Sequence, residues 1–212
     1  CFSLEMSRTE LAMRILSAEG KISMGRLKKG DLDTEGWTNL ATLQGRIDSA
    51  PLFIDDSPNM TLMEIRAKCR RLKQRNDLKL VVLDYLQLMS SGKKVESRQQ
   101  EVSEFSRSLK LLAKELDVPV IALSQLNRGS EQRTDKRPMV SDLRESGSIE
   151  QDADMVILLH REDMYNPDSE RVGEADMIIA KHRGGPTRTI PLAFSGKYSR
   201  FNNMANEAPP QY

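Results

Sequence analysis

The chain is short of the residues from which several kinds of site are built. It has 2 cysteines among 212 residues, Cys1 and Cys69, with no repeated spacing. That excludes a disulfide framework and a cysteine-based zinc site. Its 2 histidines, His160 and His182, lie far apart and have no cysteine neighbours. No secretory leader is recognisable, and a reducing cytosol is the expected compartment. No apolar run approaches the ~20 residues of a membrane span. Lys and Arg number 32 against 31 Asp and Glu, so the net charge is +1. A chain this balanced exerts no global pull on nucleic acid or anionic membrane, and any nucleic-acid binding has to be local. Internal repeats and low-complexity segments are absent too.

What is present is an alternation of helix and strand patterns, and one stretch of it is chemically pointed. Leu80-Val81-Val82-Leu83 is an uninterrupted apolar run that ends on Asp84. Such a run is expected of a strand buried on both faces of a parallel sheet. Ligands of these sheets bind just beyond the carboxyl ends of the strands. Asp84 therefore stands where a nucleotide-bound Mg²⁺ would be held, the Walker B pattern of a P-loop ATPase. The next residue is Tyr85, not an acid. The base for a hydrolytic water then has to come from another strand.

Around this strand the pattern predicts further elements. Residues 2–4 form the tail of a strand, and Ser7-Arg8-Thr9-Glu10 is a capping box opening a helix that stops at Gly20. Residues 21–33 are expected as loop. A helix follows over 34–48, with Trp37, Leu40 and Ile47 as core candidates. A short strand at 52–54 ends in Asp55-Asp56. Thr61-Leu62-Met63-Glu64 caps a helix carrying Leu62, Ile65, Cys69 and Leu72 on one face. After the Asp84 strand, 90–98 is polar and expected to be mobile. A long helix over 99–116 places Val102, Phe105, Leu109, Leu112 and Leu116 at steps of three and four. A strand at 118–123 leads to Ser124-Gln125, and 127–138 is charged and expected to be flexible. A short helical piece within 143–151, strands at 155–159 and 177–180, and a hairpin of 187–194 with 199–204 complete a domain over 1–204. Residues 205–212 are expected as a disordered tail.

The phosphate cradle of a P-loop ATPase, G-x-x-x-x-G-K-[ST], is missing. The nearest match, Gly20 to Gly25, continues with Arg26-Leu27 and follows a helix, so it reads as a helix cap and loop. Gly92-Lys93-Lys94 has no glycine five positions earlier. The first residues read as a strand end with nothing before it, and the P-loop βα unit is expected upstream. Asp55-Asp56 is the competing carboxylate pair. Ser57-Pro58-Asn59 follows it, so a turn or cap role is expected. Lys68, Arg70, Arg71, Lys73 and Arg75 fall on one amphipathic helix and read as a solvated face.

Five motifs now stand in order: Phe2-Ser3-Leu4-Glu5-Met6-Ser7, Asp84-Tyr85-Leu86-Gln87-Leu88-Met89, Leu123-Ser124-Gln125-Leu126-Asn127-Arg128, Leu143-Arg144-Glu145-Ser146-Gly147 with Ile149-Glu150-Gln151-Asp152-Ala153-Asp154, and Lys181-His182-Arg183. Together, over roughly residues 1–204, they resemble the C-terminal motor domain of the DnaB family of bacterial replicative helicases. The resemblance implies an α/β fold with a RecA-like P-loop ATPase core, a mostly parallel sheet with helices on both faces, its N-terminal P-loop unit missing. It implies ATP and Mg²⁺ as cofactors, single-stranded DNA as substrate and a homohexameric ring unwinding 5′ to 3′. Primase and a helicase loader are the implied partners, the cytoplasmic replisome the location, with no membrane role.

The resemblance also assigns residues. Glu5 is the implied general base, Asp84 the Mg²⁺ residue acting through water, and Gln125 the γ-phosphate sensor. Lys181 and Arg183 are the implied trans-acting cations of the neighbouring subunit, while His182 between them reads as structural. Arg144, Glu145 and Gly147 lie on the implied DNA-facing loop, where Arg meets phosphate and Gly admits close backbone approach. Aromatic residues do not interleave there, so a stacking platform is not indicated. Arg128, with Arg133, Lys136 and Arg137, forms a second basic segment that could line the channel, although a solvated loop is the default reading. The alternatives are another RecA-like ATPase of recombinase or KaiC type, and an inactive fragment that acts only in assembly or single-strand binding.

Overall fold

The computed structural model describes residues 1–91, 97–143 and 147–205. Two compact units emerge. The first comprises Cys1–Glu10, Pro51–Thr134 and Met139–Asp154; the second comprises Leu11–Ala50, Asp135–Pro138 and the chain from Met155 on.

The first unit is built on a parallel sheet of β1 (Phe2–Ser3), β2 (Val81–Asp84) and β3 (Val120–Ala122), in the order β1-β2-β3. Val81 and Leu83 of β2 are buried, as an apolar run in a central parallel strand should be. The strand expected at 52–54 contracts to one parallel bridge, Phe2 to Asp55. Prolines at 51 and 58 flank it and cannot donate to a ladder. Helix α4 (Leu62–Asn76) starts with the expected capping box. Thr61 N donates to Glu64 Oε2 at 2.7 Å, and Glu64 N donates to Thr61 Oγ1 at 3.3 Å. Helix α5 (Arg98–Leu116) buries all five of its predicted core residues. It packs against α4, β3 and α7 (Gly147–Asp152).

In the second unit, most of α1 (Arg8–Gly20) is followed by α2 (Met24–Lys29) and α3 (Thr34–Asp48). Helix α2 occupies the stretch expected as loop. Ser23 accepts from Arg26 N, and Gly30 closes the turn in the left-handed region at φ 68°. Its single amphipathic turn is too short to show a period. Helix α3 has the expected bounds, and Leu40 and Ile47 lie half-buried on the same face as the buried Gly36 and Leu43, but Trp37 is 58% exposed. A hydrophobic side chain on a helix is not obliged to face inward.

Strands β4 (Met155–His160), β5 (Glu174–His182), β6 (Arg188–Ser195) and β7 (Arg200–Asn203) form an antiparallel sheet in chain order. Parallel pairing thus describes the first unit, and the strands of the second run antiparallel. The predicted hairpin is β6 with β7. Arg200 Nη1 donates to Ala18 O at 2.7 Å, tying β7 to the end of α1.

The segment 127–138 holds a one-turn helix, α6 (Gly129–Gln132). Two of its three arginines are tied down. Both Nη atoms of Arg133 donate to the buried Asp142 at 2.7 Å. Arg137 donates to the buried Asp176 at 2.8 Å and to Thr189 at 3.0 Å. Asp176 lies 39 residues from Arg137 in the sequence, beyond the reach of local pattern. Most of the stretch expected to be mobile at 90–98, and the tail beyond residue 205, lie outside the described residues.

Phe105→Ala should destabilise the chain by ~3–5 kcal/mol because it empties the buried face of α5. Trp37→Ala should stay within ~0.5 kcal/mol of wild type. Urea unfolding followed by circular dichroism checks both, and equal losses would contradict the burial described for α3.

Candidate active site

The parallel register lines up three strand ends. Ser3 pairs with Asp84, and Leu83 pairs with Ala122. The ladder continues past the assigned strands: Leu4 N donates to Asp84 O at 2.7 Å, Leu123 N to Leu83 O at 2.9 Å, and Leu86 N to Leu123 O at 3.0 Å. Glu5, Asp84 and Gln125 therefore sit at the carboxyl edge of one sheet, on adjacent strands, where ligands of such sheets bind. Glu5 and Gln125 are exposed and Asp84 is half-buried.

Local contacts hold each of these residues in place. Ser3, 2% exposed, donates its hydroxyl to Met6 O at 2.6 Å and accepts from Met6 N at 3.2 Å. The bend bearing Glu5 is thereby closed. Helix α1 begins directly after it, and its capping box forms as predicted: Ser7 N donates to Glu10 Oε2 at 3.0 Å and Glu10 N to Ser7 Oγ at 3.3 Å. At Asp84 the strand gives way to a 3-10 turn, Leu86–Leu88. Gln87 within it reaches β3: its Nε2 donates to Ser124 Oγ at 2.9 Å, and its Oε1 accepts from Gln125 N at 3.1 Å.

The acids near these strand ends differ in their contacts. Asp55 takes Lys68 Nζ at 2.5 Å and the Ser57 hydroxyl at 2.6 Å. Asp56 accepts from Arg8 N at 2.8 Å. The turn and cap roles expected for this pair are what the structure shows. Glu101 pairs with Arg98 and accepts from Ser91 N. By contrast, the Glu5 and Asp84 carboxylates make no hydrogen bond or ion pair with described residues. A paired acid serves the fold. Two unengaged acids at a sheet's carboxyl edge are free to meet a ligand.

Partial burial on its own would raise the Asp55 pKa, but the hydrogen bonds from Lys68 and Ser57 outweigh it and hold the group at about 2. A cavity of about 280 Å³ lies at the other end of the strands, lined by Cys1, Phe2, Leu52, Lys68, Cys69 and Val81 among others, away from this edge. Burial pushes the Cys69 thiol up to about 11, so it is an inert core group. The basic face of α4 is partly paired: Arg66 and Arg70 both meet Glu115, and Lys68 meets Asp55.

Beyond Gln125 the chain closes on itself. Leu126 and Leu143 form an antiparallel bridge, and Asn127 N donates to Asp142 O at 2.7 Å. The sensor candidate and the DNA-loop candidates thus leave one pinned base. Arg128 is exposed at the start of α6. Gly147 opens α7 with open space around its Cα. Arg144 and Glu145 lie outside the described residues.

Lys181 and Arg183 belong to the second unit. The β4–β5 pairing passes from Ile157–Ile179 to Val156–Lys181, leaving Ala180 as an extra residue. Such a bulge re-aims the side chains that follow it. Lys181 is the penultimate residue of β5, and Arg183 lies in the turn beyond. His182 closes this turn. A Cβ on Gly185 would come within 2.5 Å of the His182 ring, so a larger residue there requires the ring to shift.

A parallel sheet with two acids and a glutamine at the carboxyl ends of its strands, flanked by helices, defines the RecA-like class of α/β domain, in which ligands bind at this edge. Comparison with known proteins narrows the class. Residues 1–203 match the family model of the DnaB-like helicase C terminal domain, and the chain belongs to that family. It is 70% identical over 204 residues to the replicative DNA helicase DnaB of Leifsonia xyli subsp. xyli, and 57% identical to that of Geobacillus stearothermophilus. These matches cover 96% of the chain but 45% of each relative, so the chain spans about half their length. A solved DnaB-like replicative helicase, described with its interactions with primase, superposes with a TM-score of 0.92 at 43% identity, over 96% of this chain and 49% of that one. A solved structure described as an ATPase domain gives the same TM-score and identity over 73% of its length.

Ser3 and Gln87 stand inside the motifs, but the motifs assign them no role. Ser3 carried a signal of its own, a small polar residue inside an apolar strand. Gln87 had none, because its partners are 37 and 38 residues away.

Asp55 supplies a pH test of the scaffold under this edge. Its depressed pKa means that its stabilisation is present at neutral pH and is lost as the pH falls from about 4 towards about 2. Asp55→Asn should be less stable than wild type at pH 7, with the gap closing over that window. Urea midpoints measured against pH check it; a gap that stays constant would contradict the pairing with Lys68.

Proposed function

We propose that this chain is the motor part of a replicative helicase, coupling ATP hydrolysis to 5′-to-3′ movement of a homohexameric ring along single-stranded DNA in the bacterial cytoplasm. The observation that carries the reading is the row formed by Glu5, Asp84 and Gln125, with both acids unengaged by described residues whereas the competing pair Asp55-Asp56 is bound by Lys68, Ser57 and Arg8.

The roles follow from the chemistry. Glu5 accepts the proton of the attacking water, the role left open by Tyr85 after Asp84. Gln125 bonds the γ-phosphate and changes partners once it leaves. Lys181 and Arg183 stabilise the charge on the transferring phosphoryl of a neighbouring subunit's nucleotide. No group of three or more His, Cys, Asp or Glu among the described residues could hold a metal by itself. A single free carboxylate such as Asp84 suits Mg²⁺, which keeps waters and takes phosphate oxygens. Bound there, the ion would neutralise phosphate charge.

Arg144, Glu145 and Gly147 contact the single strand through its backbone, with Arg128 at the edge of the same channel. The bridge between Leu126 and Leu143 supports mechanical coupling, because it joins the sensor to the start of that loop. Primase and a loader are the partners, by analogy with the relatives. The sequence contains no phosphate cradle, which favours a second reading for the isolated chain: assembly or strand binding without turnover.

The 212-residue chain should therefore show no ATPase activity with single-stranded DNA present. Turnover that Glu5→Gln abolishes would contradict this. A chimaera in which the chain replaces the matching residues of its Leifsonia xyli relative should hydrolyse ATP. Glu5→Gln should lower its kcat by roughly 10²–10⁴-fold, the range of general base catalysis. Mixing wild-type and Arg183→Ala chimaeras should reduce activity more than in proportion, and proportional loss would argue against a shared site.

A further inference from the structure

The ladder that fixes β2 against β3 makes its last backbone bond at Leu86 N to Leu123 O. Ser124 and Gln125 lie beyond that bond, and the side chain of Gln87 takes over there. A primary amide carries a donor and an acceptor on one flat group. Gln87 uses both, giving Nε2–H to the Ser124 hydroxyl at 2.9 Å and taking the Gln125 N–H on Oε1 at 3.1 Å.

The other side of the 3-10 turn is anchored just as firmly. Arg98 Nη2 donates to the Gln87 carbonyl at 2.6 Å, and both Nη atoms donate to Met89 O at 3.0 Å. Arg98 is itself paired with Glu101, whose Oε1 accepts from Ser91 N at 2.7 Å. The turn after Asp84 is thus bolted to the first turn of α5, and Gln87 extends that rigidity across to Gln125.

We infer that Gln87 is a positioning residue: it holds the backbone of Gln125 at a fixed offset from Asp84, so that phosphate sensor and metal-side carboxylate act as one rigid pair. The inference rests on the sensor role proposed for Gln125. Ground-state nucleotide binding draws on many contacts, whereas the transition state requires the amide of Gln125 to sit at one place. A misplacement of about 1 Å costs on the order of 10²-fold in rate. Loss of Gln87 should therefore appear in kcat and leave KM for ATP nearly unchanged.

Two experiments test it. In the chimaera, Gln87→Leu should lower kcat roughly ten- to hundredfold with KM changed less than about threefold. Gln87→Glu should restore most of the rate. A carboxylate accepts from the Gln125 N–H, and the Ser124 hydroxyl turns round to donate. In a Gln125→Ala background, Gln87→Leu should add little further loss. A full additional loss there, a defect confined to KM, or no rescue by Glu overturns the positioning role. Gln125→Ala with wild-type turnover would instead remove the sensor reading on which it stands. The second experiment uses the 212-residue chain alone. Hydrogen exchange at the Gln125 amide should speed up at least tenfold in Gln87→Leu and stay near wild type in Gln87→Glu, with unchanged protection in α5. Unchanged exchange at Gln125 overturns the tie itself, whatever the ATPase result.

Discussion

Parallel pairing of β1, β2 and β3 in one register is the constraint on which the rest of the site depends. Ser3 opposite Asp84 and Leu83 opposite Ala122 bring three strand ends to one edge. A slip of one residue in either pair would turn the alternating side chains to the opposite faces and scatter Glu5, Asp84 and Gln125. Burial fixes that register: Val81 and Leu83 are buried, as are Phe2 and Ser3 of β1. Helix α5 supplies much of the cover, with Val102, Phe105, Leu109 and Leu112 at 4% exposure or less. The candidate site is therefore carried on buried strands covered by a buried helix face, the kind of rigid support that precise positioning requires.

The candidate residues lie where the ladder stops. Between paired strands, the backbone groups that face each other are partnered by geometry. Past the last ladder bond, side chains take over: Ser3 closes the bend at Glu5, and Gln87 holds Ser124 and Gln125. The same logic applies to the loops. Arg133 on Asp142 and Arg137 on Asp176 place guanidinium–carboxylate pairs with a buried acid where a charged loop would otherwise wander. Removing one partner of such a pair leaves a buried charge, which costs more than the pair itself contributes. In the second unit, the bulge at Ala180 sets the direction of Lys181 before the strand ends.

The elements with long, regular signals were legible in the sequence. Helix α5 announced itself through five residues at helical steps, and α3 and the capping boxes at Ser7 and Thr61 lie where the pattern puts them. Elements of one or two turns were not, because α2 and α6 are shorter than any period that could reveal them. Trp37 faces solvent against its hydrophobicity, because hydrophobicity names a tendency to be buried and says nothing about which helix face meets a neighbour. The one-bridge strand at Asp55 was overread because the apolar triplet before it lies between two prolines.

By itself the sequence determined the chemistry available: an acid after a buried apolar strand, an acid and an amide after two others, and two cations around one histidine. Those residue types are read locally, since each motif is a few adjacent residues whose pattern follows from strand burial and helix caps. The tertiary structure alone decided which of these groups are free. Asp55 and Asp84 look alike in the sequence, each an acid at the end of a short apolar run. Folding places Lys68 and Ser57 on Asp55 and no described residue on Asp84. The partner of a side chain is chosen by packing across tens of residues, and that distance is what a sequence pattern with a period of two or 3.6 residues does not encode.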